Sequence, residues 1–315
     1  MFDVVTGGAG FIGSHLVDTL VAQGNEILVI DSLCAGRKET IAQHIDSCKA
    51  RFVKKDLLSD GWQDSIVGAD RLFHLAADPD VRQSAVNPDP TLQNNIIATY
   101  RVLEAMRRHD VPELIFTSTS TVYGDATIIP TPETYTPLEP ISVYGASKLA
   151  CEALISAYCH SFGMKAWVFR FANIIGSRSG HGVINDFIEK LEKNPAELEI
   201  LGDGKQTKSY LEVHECIAAM LYAVGHARGT VNTFNIGSED RIDVKSIAEI
   251  VTEEMHIPST KFKFTGGERG WVGDVPKMQL AVDRIIALRW KPQLGSRESV
   301  RIAVRAMLAE RSPLP

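Results

Sequence analysis

Short apolar runs and longer amphipathic stretches alternate along the first half of the chain. Residues 2–6, 26–30, 50–54, 71–75, 113–117 and 165–169 are rich in Val, Ile, Leu and Phe, and each predicts a strand buried on both faces. Between them, segments 11–22, 90–108 and 143–161 carry apolar residues at helical spacing. Strands joined by helical crossovers predict a parallel sheet covered on both sides. This is an α/β, doubly wound (Rossmann) architecture whose ligands meet the carboxyl ends of the strands.

After Asn173 the rhythm changes. Gly and Ser cluster in 176–182. A helix is predicted at 183–193, short strands at 198–201 and 207–211, and helices at 213–227, 244–255 and 296–309. Residues 1–172 are therefore expected to form a dinucleotide-binding domain. Residues 173–315 are expected to form mainly a smaller α/β substrate domain, with some segments returning to the sheet domain.

Composition narrows the function classes. Of 315 residues, 44% are hydrophobic and 23% charged, as in an ordinary globular protein. A formal charge of −6 argues against a nucleic-acid or anionic-membrane partner held by bulk charge. The five cysteines, Cys34, Cys48, Cys151, Cys159 and Cys216, show no CxxC and no metal-ligand spacing. Cys48 and Cys151 fall in stretches that read as helix. Thiols in a reducing compartment and no metal are expected. The first strand pattern begins at Phe2, leaving no room for a signal or transit peptide. No apolar run approaches the ~20 residues of a membrane helix. A cytoplasmic location follows as an expectation.

Gly7-Gly8-Ala9-Gly10-Phe11-Ile12-Gly13 joins the first strand to the first helix. Glycines there admit unusual backbone angles and let a pyrophosphate touch the main chain, while the helix that begins at Phe11 offers it free N–H groups. Gly13 lets that helix pack closely on the sheet. Asp31 ends the second strand, where a carboxylate accepts ribose hydroxyls and repels a 2′-phosphate, which favours NAD over NADP. Asp56-Leu57 and Leu75-Ala76-Ala77 end the next two strands. Ordinary packing would account for either pair of strand ends, but their position suits the same ligand.

Tyr144-Gly145-Ala146-Ser147-Lys148 opens a helical stretch, and residues four apart share one face. A free phenol, with a pKa of about 10, is a poor base at neutral pH. The Lys148 cation and a positive nicotinamide would both favour its phenolate. Taken alone, the pair would equally be a half-buried Tyr beside a snorkelling Lys. Upstream, Thr117-Ser118-Thr119-Ser120-Thr121 closes the fifth strand with a hydroxyl cluster at the expected nicotinamide position. One of these hydroxyls can share a proton with substrate and Tyr144.

Together these motifs resemble the extended short-chain dehydrogenase/reductase family, and within it the UDP-galactose (UDP-glucose) 4-epimerases. The likeness rests on GGAGFIGSHL at 7–16, HLAA at 74–77, NNIIAT at 94–99, STSTVYG at 118–124, YGASK at 144–148 and RFANIIG at 170–176. It continues through GDGKQTKSYLEV at 202–213 and RGWVGDV at 269–275. The resemblance implies Tyr144 as catalytic base, Lys148 as its electrostatic helper and Thr119 as the Ser/Thr hydroxyl. It implies NAD held by Gly7, Gly10, Phe11, Ile12, Gly13, Asp31, Asp56, Leu57, Leu75, Ala76, Ala77, Asn95, Thr117, Tyr144 and Lys148. It implies a UDP-sugar held by Thr119, Asn173, Val183, Lys208, Arg269 and Asp274, with Met278 on one wall of the sugar pocket. Lys208 stands where the family usually has Arg, and Ser209 where it has Asp, so the diphosphate clamp is altered. Two more residues than usual separate Arg269 from Gly273-Asp274.

The implied reaction is NAD-dependent 4-epimerisation of a UDP-hexose through a transient 4-keto sugar, within galactose metabolism. UDP-N-acetylhexosamine and UDP-glucuronate remain open as substrates. Related 4,6-dehydratases carry Asp-Glu right after the catalytic Thr. This chain has Ser120 and Thr121 there, which disfavours water elimination. A non-catalytic dinucleotide sensor would typically lack the Tyr or the Lys. The resemblance also implies a homodimer built from the helices at 90–108 and 143–161 of each subunit.

Overall fold

The structure, a computed structural model, describes residues 1–270 and 275–311. The chain divides into two compact units, each assembled from three segments. The first comprises 1–124, 137–170 and 220–234, and the second 125–136, 171–219 and 235–315.

The first unit is built on β1 (Phe2–Thr6), β2 (Glu26–Asp31), β3 (Ala50–Lys54), β4 (Arg71–His74), β5 (Glu113–Thr119) and β6 (Lys165–Phe171). The strand Val231–Ile236 adds to the edge of β6, and the sheet order is Val231–Ile236, β6, β5, β4, β1, β2, β3. The pairs β1–β2, β1–β4, β2–β3 and β4–β5 all run parallel. Strand order reverses beside β1, the switch point at which such sheets open a crevice.

Helices cover the apolar strand faces. Leu28, Ile30, Leu72, Leu114 and Phe116 from the strands join Val102, Leu103 and Met106 of the Ala98–Arg108 helix and Cys151 and Ile155 of the Val143–Phe162 helix in one buried cluster. Each such side chain, removed from water, contributes on the order of 2 kcal/mol.

Three local differences from the sequence pattern have physical causes. The edge strand at 231–236 carries Asn232 and Asn235 among its apolar residues, so it forms no continuous apolar run. The segment expected as one helix at 90–108 contains a π-helical turn, Leu92–Ile97, ahead of Ala98–Arg108. That turn brings Asn95 inward, to 1% exposure. Cys48 is not helical. It follows the Ala42–Asp46 helix with a φ of 55°.

The second unit has its own core. Ile184, Phe187, Ile188 and Leu191 of the Val183–Lys193 helix pack with Ile247, Ile250 and Val251 of Val244–Glu254 and with Val300 and Val304 of Ser296–Arg311. Its strands are short. Asn173–Ile175 pairs in parallel with Tyr210–Glu212, and Thr207–Lys208 lies between Ile242–Asp243 and Lys277–Met278. No helix among the described residues is long and apolar enough to cross a membrane.

Candidate active site

The glycine turn after β1 sits at the switch point. Gly7 has a φ of 71°, and a Cβ there would come within 2.6 Å of the Ala76 amide nitrogen at the end of β4. The turn is fixed by Gly7 N–H donating to the Ile30 carbonyl at 2.9 Å and Gly10 N–H to the Gly7 carbonyl at 3.1 Å. A Cβ on Gly13 would run into the Gly7 carbonyl, so the helix Phe11–Ala22 approaches the turn as closely as backbone allows. No side chain caps the start of this helix, which leaves the first-turn amides around Phe11 and Ile12 facing outward for an anion.

Asp31 is buried at the end of β2, where its carboxylate accepts the Ala9 amide at 3.0 Å and the Leu33 amide at 2.8 Å. It therefore ties the glycine turn to β2 and keeps further lone pairs for hydroxyls. Asp56 is exposed and accepts the Leu58 amide at 2.8 Å, whereas Leu57 is in the core with its carbonyl on Trp62 Nε1 at 3.2 Å. Leu75, Ala76 and Ala77 are half-buried beside the turn.

His74, at the head of the HLAA motif, is a structural crosslink that sequence reasoning did not assign. Its ring bonds Thr6 Oγ1 at 2.7 Å and Thr99 Oγ1 at 3.0 Å. Burial, seconded by the Lys148 charge, lowers its pKa to about 3, so it stays neutral.

The helix Val143–Phe162 begins at Ser142, whose hydroxyl accepts the Gly145 amide at 3.0 Å. Tyr144 is in its first turn, its phenol near enough to Thr119 at the end of β5 for that side chain to favour the phenolate. Thr119 Oγ1 also accepts the Thr121 amide at 3.2 Å. Burial pushes the Tyr144 phenol up to about 12, against a lowering by Thr119. Lys148, one turn along, donates to the Thr117 carbonyl at 3.0 Å and lies 4.8 Å from the centre of the Phe116 ring. Burial brings its pKa down to about 8. Thr117 Oγ1 donates to the His74 carbonyl at 3.4 Å.

Asn95 uses its whole amide on protein groups. Oδ1 accepts the Asp78 amide at 2.8 Å, and Nδ2 donates to the Asp78 carbonyl at 3.2 Å and to Ser147 Oγ at 2.9 Å. Beneath the hydroxyl cluster is a buried ion pair missed in the sequence. Arg170 clasps Glu152 at 2.6 Å and bonds the Tyr123 hydroxyl at 3.0 Å, and Ser118 donates to Glu152. Arg170 and Glu152 lie apart from the 118–124 motif in sequence, and only their convergence reveals the pair.

Within the second unit, Asn173 Nδ2 donates to the Ser209 carbonyl at 3.1 Å. Lys208 is half-buried in its short strand, in register with Met278. Ser209 is fully buried and bonds Ser238 Oγ at 2.9 Å, while Ser238 Oγ bonds Ser296 Oγ at 2.7 Å. Its hydroxyl thus belongs to an internal network. Arg269 is held by Asp125 through two nitrogens, at 2.8 and 3.4 Å. Val183 is the half-buried first residue of its helix, after Gly182 with a φ of 96°. Asp274 lies outside the described residues.

Comparison with known proteins follows the same lines. The model of a family described as the NAD dependent epimerase/dehydratase family matches residues 4–237. A putative UDP-glucose 4-epimerase of Methanocaldococcus jannaschii is 32% identical over 311 residues, covering 96% of this chain and 97% of that protein. A crystal structure of a UDP-galactose 4-epimerase superposes with a TM-score of 0.89 at 41% identity, covering 99% of each chain. That of a UDP-glucose 4-epimerase of Thermotoga maritima with UDP-glucose gives 0.88 at 30% identity, covering 99% of this chain and 100% of that one.

Proposed function

Because this chain belongs to the NAD dependent epimerase/dehydratase family, we infer that it is an NAD-dependent 4-epimerase that interconverts UDP-galactose and UDP-glucose. The observation that carries the reading is the Tyr144 phenol set where the Thr119 side chain favours its phenolate, with Lys148 one helical turn along the same helix. No carboxylate follows Thr119: Ser120 and Thr121 are there instead. A phenol, a hydroxyl and an ammonium can take up and return a proton, but nothing at these positions is suited to expelling water from a sugar.

The residues fit the dinucleotide. The glycine turn, the uncapped helix start and the buried carboxylate of Asp31 match a pyrophosphate and a ribose diol. Held by the glycine turn and Asp31, NAD would supply a reversible hydride acceptor for sugar C4. Tyr144 removes the 4-hydroxyl proton with Thr119 as its hydrogen-bond partner. The protein's own groups push the phenol up, so the phenolate depends on the positive charges of nicotinamide and Lys148. Asn173, Lys208, Arg269 and Asp274 are proposed to hold the diphosphate while the 4-keto sugar turns and presents its other face. Arg269 would exchange Asp125 for phosphate oxygens.

A dinucleotide sensor is disfavoured because Tyr144 and Lys148 are both present and set in this arrangement. A homodimer through the helices at 90–108 and 143–161 is supported by large apolar side chains left exposed on them, Leu92, Tyr100, Val143 and Phe162. Five free thiols support a reducing, cytoplasmic setting.

The test is incubation of the purified protein with UDP-galactose, without added nucleotide, and assay for UDP-glucose. Conversion supports an epimerase that keeps its NAD. No conversion even with NAD supplied would overturn the UDP-hexose reading in favour of UDP-N-acetylglucosamine or UDP-glucuronate.

A further inference from the structure

The Val143–Phe162 helix carries Tyr144, Lys148 and Glu152 one turn apart along one face. Lys148 and Glu152 are both buried, at 3% and 9% exposure. A carboxylate four residues after a buried ammonium is a ready partner for it. Lys148 nevertheless donates to the Thr117 carbonyl at 3.0 Å, and Glu152 serves two other elements. Its Oε1 accepts the Ser118 hydroxyl of β5 and, at 3.0 Å, Arg170 Nε of β6, while its Oε2 accepts Arg170 Nη2 at 2.6 Å. Arg170 Nη1 reaches the Tyr123 hydroxyl at 3.0 Å, and its guanidinium lies 4.9 Å from the centre of that ring. With its carboxylate engaged by a guanidinium and a hydroxyl, Glu152 leaves the ammonium to the strand. Ser118 is the peptide neighbour of Thr117, whose carbonyl receives Lys148, and of Thr119, whose side chain favours the Tyr144 phenolate. A hydrogen bond from this middle residue fixes how far the end of β5 stands along the helix.

We propose that Ser118 and Glu152 are positioning residues for Lys148: their hydrogen bond latches the end of β5 to the helix, so that the Thr117 carbonyl meets the ammonium on the face it shares with Tyr144. Arg170 sets the latch by occupying the Glu152 carboxylate. The proposal rests on the reading of Tyr144 as the base and Lys148 as its electrostatic helper. An ammonium tied to a backbone carbonyl keeps its charge at a fixed distance from the phenol. Without the Ser118 hydroxyl, Glu152 Oε1 has a vacant acceptor position for Lys148, and the strand end has one tie fewer. The ammonium then swings toward Glu152, and the phenolate loses support.

Charged and titratable groups reach this pair from several elements. Asp78, from the loop after β4, and Cys151, on the same helix, raise the pKa of the phenol, while Thr119 of β5 lowers it. Around Lys148 are Cys151 and Glu152 on its own helix and the neutral His74 of β4. Arg170 of β6 acts through its ion pair with Glu152.

The experiment uses the purified holoenzyme. Phenolate formation is titrated by ultraviolet difference absorbance, with Tyr144→Phe subtracted to isolate one of the seven tyrosines. In parallel, kcat and KM for UDP-galactose are measured against pH. Ser118→Ala should raise the Tyr144 pKa and the acid limb of kcat together by about 0.5–1 pH unit, with little change in KM. On that limb the rate relative to the plateau should fall about 3- to 10-fold. Ser118→Thr, which keeps a hydroxyl donor, should bring both back toward wild type. A Tyr144 pKa unmoved in Ser118→Ala, or moved equally in Ser118→Thr, overturns the proposal. Turnover retained in Tyr144→Phe, or no turnover of UDP-galactose by the wild type, overturns the functional reading instead, and the titration still decides whether Ser118 places Lys148. Ser118→Cys, a weaker donor of similar size, is the second variant. Failure of both Ser118→Ala and Ser118→Cys to fold would make the bond structural and likewise overturn the proposal.

Discussion

Tyr144, Asp31 and Lys208 each meet a different physical demand, and a substitution can isolate each one. Tyr144→Phe removes the phenolic hydroxyl and leaves the glycine turn untouched. NAD should remain bound in the purified protein while turnover falls by at least about 1000-fold, a loss of roughly 4 kcal/mol in the transition state. Cofactor content by absorbance, set against rate, checks this. Asp31→Ala removes the acceptor of the Ala9 and Leu33 amides and the proposed ribose acceptor together. It should weaken NAD more than NADP in titrations on stripped protein, and an unchanged preference would remove Asp31 from the ribose site. If Lys208 faces the diphosphate as proposed, Lys208→Arg offers it a two-pronged donor and should lower the inhibition constant of UDP about 3- to 10-fold. No change would mean that Lys208 serves another purpose. At this scale the sequence was informative where chemistry and spacing coincide, as in Tyr144–Lys148. It was silent on the His74 crosslink and the Arg170–Glu152 pair, which depend on side chains brought together from as many as 68 residues apart.

The glycine turn is an element whose shape leaves almost no freedom. At Gly7 a Cβ would meet the Ala76 backbone, and the residue also has positive φ. Gly7→Ala should therefore cost at least about 1–3 kcal/mol and displace the end of β4. A lowered urea midpoint together with weaker NAD binding is the expected signature; unchanged values in both would show that the turn tolerates a side chain. The strands of the first unit were legible as apolar runs because both faces of a parallel sheet are covered. The edge strand Val231–Ile236 was not, since its polar residues break the pattern. Nor was the π-helical turn, because a single added residue in a helix leaves its amphipathic spacing nearly intact. That turn nevertheless sets the inward direction of Asn95 and, through it, the hold on Asp78.

For the molecule as a whole, neutral buried groups govern the response to acid. His74 has a pKa of about 3 when folded and the ordinary 6.5 when unfolded, so below pH 6.5 the unfolded chain binds the extra proton. Stability that is fully present above pH 6.5 should be lost as pH falls toward 3, by up to about 5 kcal/mol from this residue. Urea midpoints at pH 7 and pH 4 should show the loss, and His74→Asn should flatten it. An equal slope in the variant would assign the acid sensitivity elsewhere.

The first unit also has a temporal consequence. Its sheet takes its seventh strand from Val231–Ile236, beyond more than forty residues that belong to the other unit. During synthesis, β6 emerges from the ribosome with an open edge and stays so until those residues have been added. For several seconds at ordinary elongation rates the nascent chain presents a hydrogen-bonding edge that any neighbouring strand can occupy. A fragment cut at residue 172 would keep that edge permanently, so the cofactor-binding half and the segment that follows it have to be made as one piece.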